Sequence, residues 1–81
     1  MKVLRKGLVF YVKLDGVRAQ IVCRKRSDDL IVLSSHTPED YRGQGIATSI
    51  MKQVVLYARK NKLNIVPACT FAVHYCKKYK C

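Results

Sequence analysis

Acidic residues are scarce in this chain: five Asp and Glu stand against sixteen Lys and Arg, a formal charge of +11. That balance points to an anionic ligand or partner, and it does not separate a phosphorylated small molecule from nucleic acid. Aromatic surface for base stacking is thin, with no Trp and two Phe, and the tyrosines fall largely within the apolar pattern. Nucleic acid is therefore a reading with charge alone behind it. No apolar run approaches the ~18 residues of a membrane span, so no membrane partner is expected. Lys2, Arg5 and Lys6 break up the first residues too soon for a secretory leader. Four cysteines without such a leader are expected as reduced thiols in a cytoplasmic protein. No Cys-x-x-Cys pair is present, so Cys69, His74, Cys76 and Cys81 read as a cysteine-rich tail and not as a metal centre. Repeats, low-complexity stretches and linkers are absent too, which leaves one domain over residues 1–81 with a modest core.

What the chain does carry is Tyr41-Arg42-Gly43-Gln44-Gly45-Ile46-Ala47, set between the end of an apolar strand and the start of a helical pattern. Ile46, Ile50, Val54 and Ala58 recur every four residues, with Ala47, Met51 and Val55 beside them. The spacing predicts a helix over residues 45–61 with one broad apolar face, and Lys52, Gln53, Arg59 and Lys60 fall on its solvated side. A helix start leaves backbone N–H groups unpaired and carries partial positive charge, and glycines in front of it let a ligand approach the backbone. The stretch is thus either an anion cradle or a turn that needs glycine for its geometry alone. It is no Walker loop, since no Lys-Ser or Lys-Thr follows, and no dinucleotide fingerprint, since the third glycine is missing.

Before it, residues 8–14 are rich in β-branched and aromatic side chains and read as a strand, and Asp15-Gly16 is a two-residue hairpin turn. Residues 17–23 alternate as a strand with one buried face, and residues 24–29 read as a polar connection. Leu30-Ile31-Val32-Leu33 is a continuous apolar run, expected as a strand covered on both faces. After the helix, residues 63–66 form a short strand that Pro67 closes, and residues 70–80 a final helix with Phe71, Ala72 and Tyr75 toward the sheet. Strand, helix, strand in that order implies a parallel pair joined by a crossover. The fold class is α/β with a mixed sheet.

Arg42-x-x-Gly45-x-Ala47 resembles the (Gln/Arg)-x-x-Gly-x-(Gly/Ala) motif of the GNAT superfamily of acyl-coenzyme A N-acyltransferases. His36-Thr37-Pro38, Tyr57-Ala58-Arg59 and Ile65-Val66-Pro67-Ala68-Cys69-Thr70-Phe71-Ala72 extend the likeness over residues 30–79 to a subfamily of very short GNAT-like proteins, with cysteine where longer enzymes usually have asparagine. The resemblance implies a minimal GNAT-like fold in which two strands splay apart around the pantetheine arm. It implies acetyl-coenzyme A or another acyl-coenzyme A as cofactor, and an amine on a small molecule or a protein lysine as acceptor.

Carried onto this chain, the family pattern gives Arg42, Gly43, Gln44, Gly45, Ile46 and Ala47 to the pyrophosphate. Leu33, Ser34 and Ser35 fall to the pantetheine amides, and Cys69, Phe71 and Tyr75 to contacts around the thioester. Cys69 is either an acyl-accepting nucleophile, favoured as thiolate by a following helix start, or a small buried hydrophobe. Aligning Cys69 with the family's asparagine and Ala72 with its alanine puts Cys76 where the general-acid tyrosine stands, with Tyr75 one residue off. His36 is the corresponding base. The short relatives carry their His-Thr slightly further upstream, so either this loop is two residues shorter or Ser34 holds that place. The same features also suit a coenzyme A-binding module without chemistry.

Overall fold

Each of the first three strands turns directly into the next. In this computed structural model, which describes residues 2–81, β1 (Leu4–Lys6), β2 (Val9–Lys13), β3 (Arg18–Arg26) and β4 (Asp29–His36) pair antiparallel in chain order. Asp15-Gly16 closes the second reversal, with the Leu14 N–H donating to the Val17 carbonyl at 2.9 Å. Gly16 takes φ +72°, which the turn needs and side-chain-bearing residues avoid. α1 (Ile46–Lys60) then crosses to β5 (Asn64–Pro67), which lies parallel to β4, and α2 (Thr70–Tyr79) follows.

Alternation along the strands decides where the core lies. Phe10, Val12, Ala19, Ile21, Cys23, Leu30 and Val32 are buried on one face of the sheet. Ile46, Ile50, Met51, Val54 and Ala58 of α1 and Ala72 and Tyr75 of α2 close over that same face. α1 packs on β2 and β3, and α2 on β4 and β5. Each fully buried aliphatic side chain here stabilises by about 1.5–3 kcal/mol relative to exposure. The 3.6-residue pattern of α1 is thus the pattern of its contacts.

Three expectations are corrected. The sheet has five strands, not four, because β1 pairs with β2 at the sheet's edge. Residues 24–29 are no loop: Arg24, Lys25 and Arg26 stay in the ladder opposite Ile31, Leu30 and Asp29, and Ser27 at φ +53° makes the reversal. The run 30–33 is covered on one face only, with Leu33 44% exposed, because both helices lie on the same side of the sheet.

Candidate functional site

The site begins with a fault in the sheet. β3 and β4 run in regular register from Arg26↔Asp29 to Cys23↔Val32, but Val22 then faces Ser34, so Leu33 is the extra residue of a β-bulge. On its other side, β4 pairs with β5 only as far as Val32↔Pro67. The Ala68 N–H donates to the Val32 carbonyl at 3.0 Å, and beyond it the chain leaves for α2. Residues 33–36 therefore continue β4 with no strand beside them on that edge. The family's splay, which no periodicity in the sequence shows, is this departure.

Across from the open edge stands the start of α1. Gly45 is its N-cap residue, at φ +76° and ψ 13°, and no side chain caps the helix. The first helical bond is donated by the Ser49 N–H to the Gly45 carbonyl at 3.0 Å, and among the described residues no backbone bond occupies the N–H groups of residues 43–48. No acidic residue lies in the first turn, whereas Arg59 and Lys60 offset the dipole at the far end. The loop is pinned from behind: a 3-10 turn at Glu39–Tyr41 is closed by the Arg42 N–H on the Glu39 carbonyl, and Arg42 Nε donates to the Thr37 carbonyl at 3.1 Å. Between strand edge and helix start lies a cleft of about 420 Å³.

Of the residues picked out from sequence, Ser35, His36, Arg42, Gly43, Gly45, Ile46, Ala47 and Phe71 line this cleft together. Thr37, Tyr41 and Thr48 line it too, and none of the three carried a site role in the sequence reading, although Thr37 and Tyr41 stand in its motifs. Thr48 had a legible signal, since it stands in the first turn of the helix whose amides were picked out. Leu33 and Ser34 sit in the bulge and along the open edge outside the cleft lining, and Gln44 belongs to the glycine turn without lining it.

The sulfur and tyrosine groups are arranged differently. Cys69 is the N-cap residue of α2, extended at φ −129°, half-buried and packed against the core, two positions before Phe71. Cys23 is buried on the inner face of β3, where burial first, and the nearby Cys69 second, push its thiol up to about 12. Tyr75 is not in the cleft. It is buried in a groove against α1, its ring 4.6 Å from that of Tyr79. Burial and Tyr79 raise its hydroxyl pKa, and Arg59 partly opposes them.

Cys76 is bonded to Cys81 in a disulfide, against the expectation of free thiols. Lys80 ends α2 in the left-handed region and folds the chain back, bringing the two Cα atoms to 4.8 Å. A sulfur in that bond holds no proton, so the assignment of Cys76 as general acid is corrected for this state. Cys23 and Cys69 are the free cysteines.

An antiparallel sheet that ends in one parallel pair, with a strand edge laid open beside a bare helix start, defines an N-acetyltransferase-type domain. A model of the GCN5-related N-acetyl-transferase family matches residues 9–80, and the chain belongs to that family. The solution NMR structure of a GCN5-like protein from Staphylococcus aureus, described as a candidate N-acetyltransferase, superposes with a TM-score of 0.78 at 28% sequence identity. The match covers 95% of this chain and 78% of that one. No curated protein matches the chain.

Proposed function

We propose that this domain binds acetyl-coenzyme A in the cleft between β4 and α1 and passes its acetyl group to an amine. The observation that carries the reading is the pair of facing donor sets: free amides at residues 43–48, and the unpaired edge of β4 beyond Val32. The amides of Gly43, Gln44, Gly45, Ile46 and Ala47 suit a diphosphate, whose charge the helix dipole and the +11 chain favour. Leu33, Ser34 and Ser35 offer backbone donors and acceptors along the strand, which suits the amides of a pantetheine arm. Bound there, acetyl-coenzyme A supplies the acetyl group as an activated thioester.

The chain's own groups are few. His36, exposed at the end of β4 and lining the cleft, is the base offered to the incoming amine. Cys69, at the head of α2, is the nucleophile offered if the acetyl group is held on the protein first. The acceptor is an amine on a small molecule or a protein lysine. The Cys76–Cys81 disulfide favours a second reading, a coenzyme A-binding module without turnover, because it removes the one thiol proton aligned with the family's general acid.

Two measurements test the reading. Titration with acetyl-coenzyme A, followed by amide chemical shifts, moves residues 43–47 first; silence there at millimolar excess defeats it. Intact mass after incubation separates the two readings. One acetyl adduct, absent in Cys69→Ala, supports chemistry through Cys69, while tight binding with no adduct and no thioester loss supports the module.

A further inference from the structure

The sheet has a second face that neither helix covers. Lys6, Lys13, Arg18, Arg24 and Arg26 alternate with the inward side chains of β1 to β3 and project from it, and all five are exposed. Against these five cations, Asp29 is the one acidic residue in the strands among the described residues. Arg18 and Arg24 lie six residues apart on one strand, about 20 Å at the usual rise.

Between the cations runs a different set of groups. The register places Tyr11, Gln20 and His36 side by side across three strands. The Arg18 guanidinium lies over the Tyr11 ring, 5.0 Å from its centroid.

We propose that this open face binds single-stranded nucleic acid. Phosphates meet the five cations, and a base stacks on the Tyr11–Arg18 pair. A five-stranded face is too broad for a duplex groove, which admits a helix or a two-stranded ribbon, so the strand must be single. A second copy of this chain is not the occupant, because face-to-face packing would set five cations against five. An acidic peptide would satisfy the charge but offers no planar group for Tyr11. The site is separate from the acetyl-coenzyme A cleft and touches it only at His36.

Fluorescence anisotropy with a labelled oligo(dC) of about 12 nucleotides tests this on the full chain. Five phosphate contacts on a single strand give a slope of log affinity against log salt of about −3.5, or a loss of about 100-fold between about 50 and 200 mM. Arg18→Ala with Arg24→Ala lowers the slope by about 1.4. Tyr11→Ala weakens binding without changing the slope, and Tyr11→Leu does the same if the alanine variant fails to fold. Circular dichroism melts establish which variants are folded.

The proposal is overturned if the arginine pair leaves affinity and slope unchanged, or if a duplex of the same length binds as tightly. It is equally overturned if polyglutamate of equal charge displaces the oligonucleotide as well as unlabelled oligo(dC) does. Displacement by coenzyme A, with amide shifts at residues 43–47, would place the phosphates at the helix start and also overturn it. The cleft reading would survive that last result.

Discussion

Gly45→Ala adds one methyl group where the loop becomes α1, and the structure sets what that methyl costs. Gly45 stands at φ +76°, and a Cβ built there meets nothing within 4 Å, so no clash contributes. What remains is the backbone penalty of the left-handed region for an L residue, about 1–2 kcal/mol. For a domain of this size each 1 kcal/mol lowers Tm by about 4–8 °C. Gly16→Ala is the matched control: φ is +72°, the space is equally open, and the β2–β3 turn is not part of the cleft. Both variants should lose similar stability in thermal melts. Only Gly45→Ala carries its methyl into the mouth of the cleft, beside the amides proposed to hold the diphosphate. Titration calorimetry with acetyl-coenzyme A should show roughly tenfold weaker binding, about 1.4 kcal/mol, for Gly45→Ala and no change for Gly16→Ala. Equal affinity in the two folded variants would refute the assignment of the helix start.

Brief alkylation with iodoacetamide near neutral pH, read by peptide mass spectrometry, should label half-buried Cys69 and spare Cys23, whose thiol burial pushes up from 9.0 to about 12. Because the folded value is the higher one, this group's stabilising contribution is full below about pH 9 and is lost as pH rises toward 12. Cys23→Val should therefore flatten the alkaline limb of a urea-melt pH profile, and an unchanged limb would assign that loss to other groups. Ile50 is fully buried in the second turn of α1, and Ile50→Ala should cost about 2–5 kcal/mol by chemical denaturation. Cys81→Ser opens a loop of five-residue separation; the short loop limits the loss to about 2 kcal/mol, read as fraying of α2 by amide hydrogen exchange.

What could be read from the residues was what neighbouring residues decide. α1 was legible because its buried positions repeat at the helical period, and the bare amides of its start because unpaired N–H groups follow from any helix start. β1 was not, since three residues with two cations carry no alternation, and such strands are common at protected sheet edges. The β3–β4 reversal was hidden because Ser27 takes a left-handed conformation that its identity does not announce. The Cys76–Cys81 bond depends on the backbone of Lys80 in the same way. The open edge of β4 was least visible of all, because it depends on the register between β4 and β5, whose paired residues (Val32 with Pro67, for one) are far apart in sequence.

That dependence can be tested by deleting Leu33. With Leu33 absent, Cys23↔Val32 and Val22↔Ser34 become consecutive pairs, and Ser35 and His36 keep their partners Ile21 and Gln20. Inward and outward positions then alternate without a break from Leu30 to His36, so the deletion removes an irregularity and leaves the core in place. A bulge that serves only as a packing accident predicts equal or better stability and unchanged cofactor affinity. A bulge that helps shape the edge facing α1 predicts stability held, with acetyl-coenzyme A binding weakened because the edge beyond Val32 loses the bend and added twist that the bulge gives it. Chemical denaturation and titration calorimetry on the same sample distinguish these outcomes. A folded deletion variant that binds as tightly as the parent would show that the helix start alone holds the ligand.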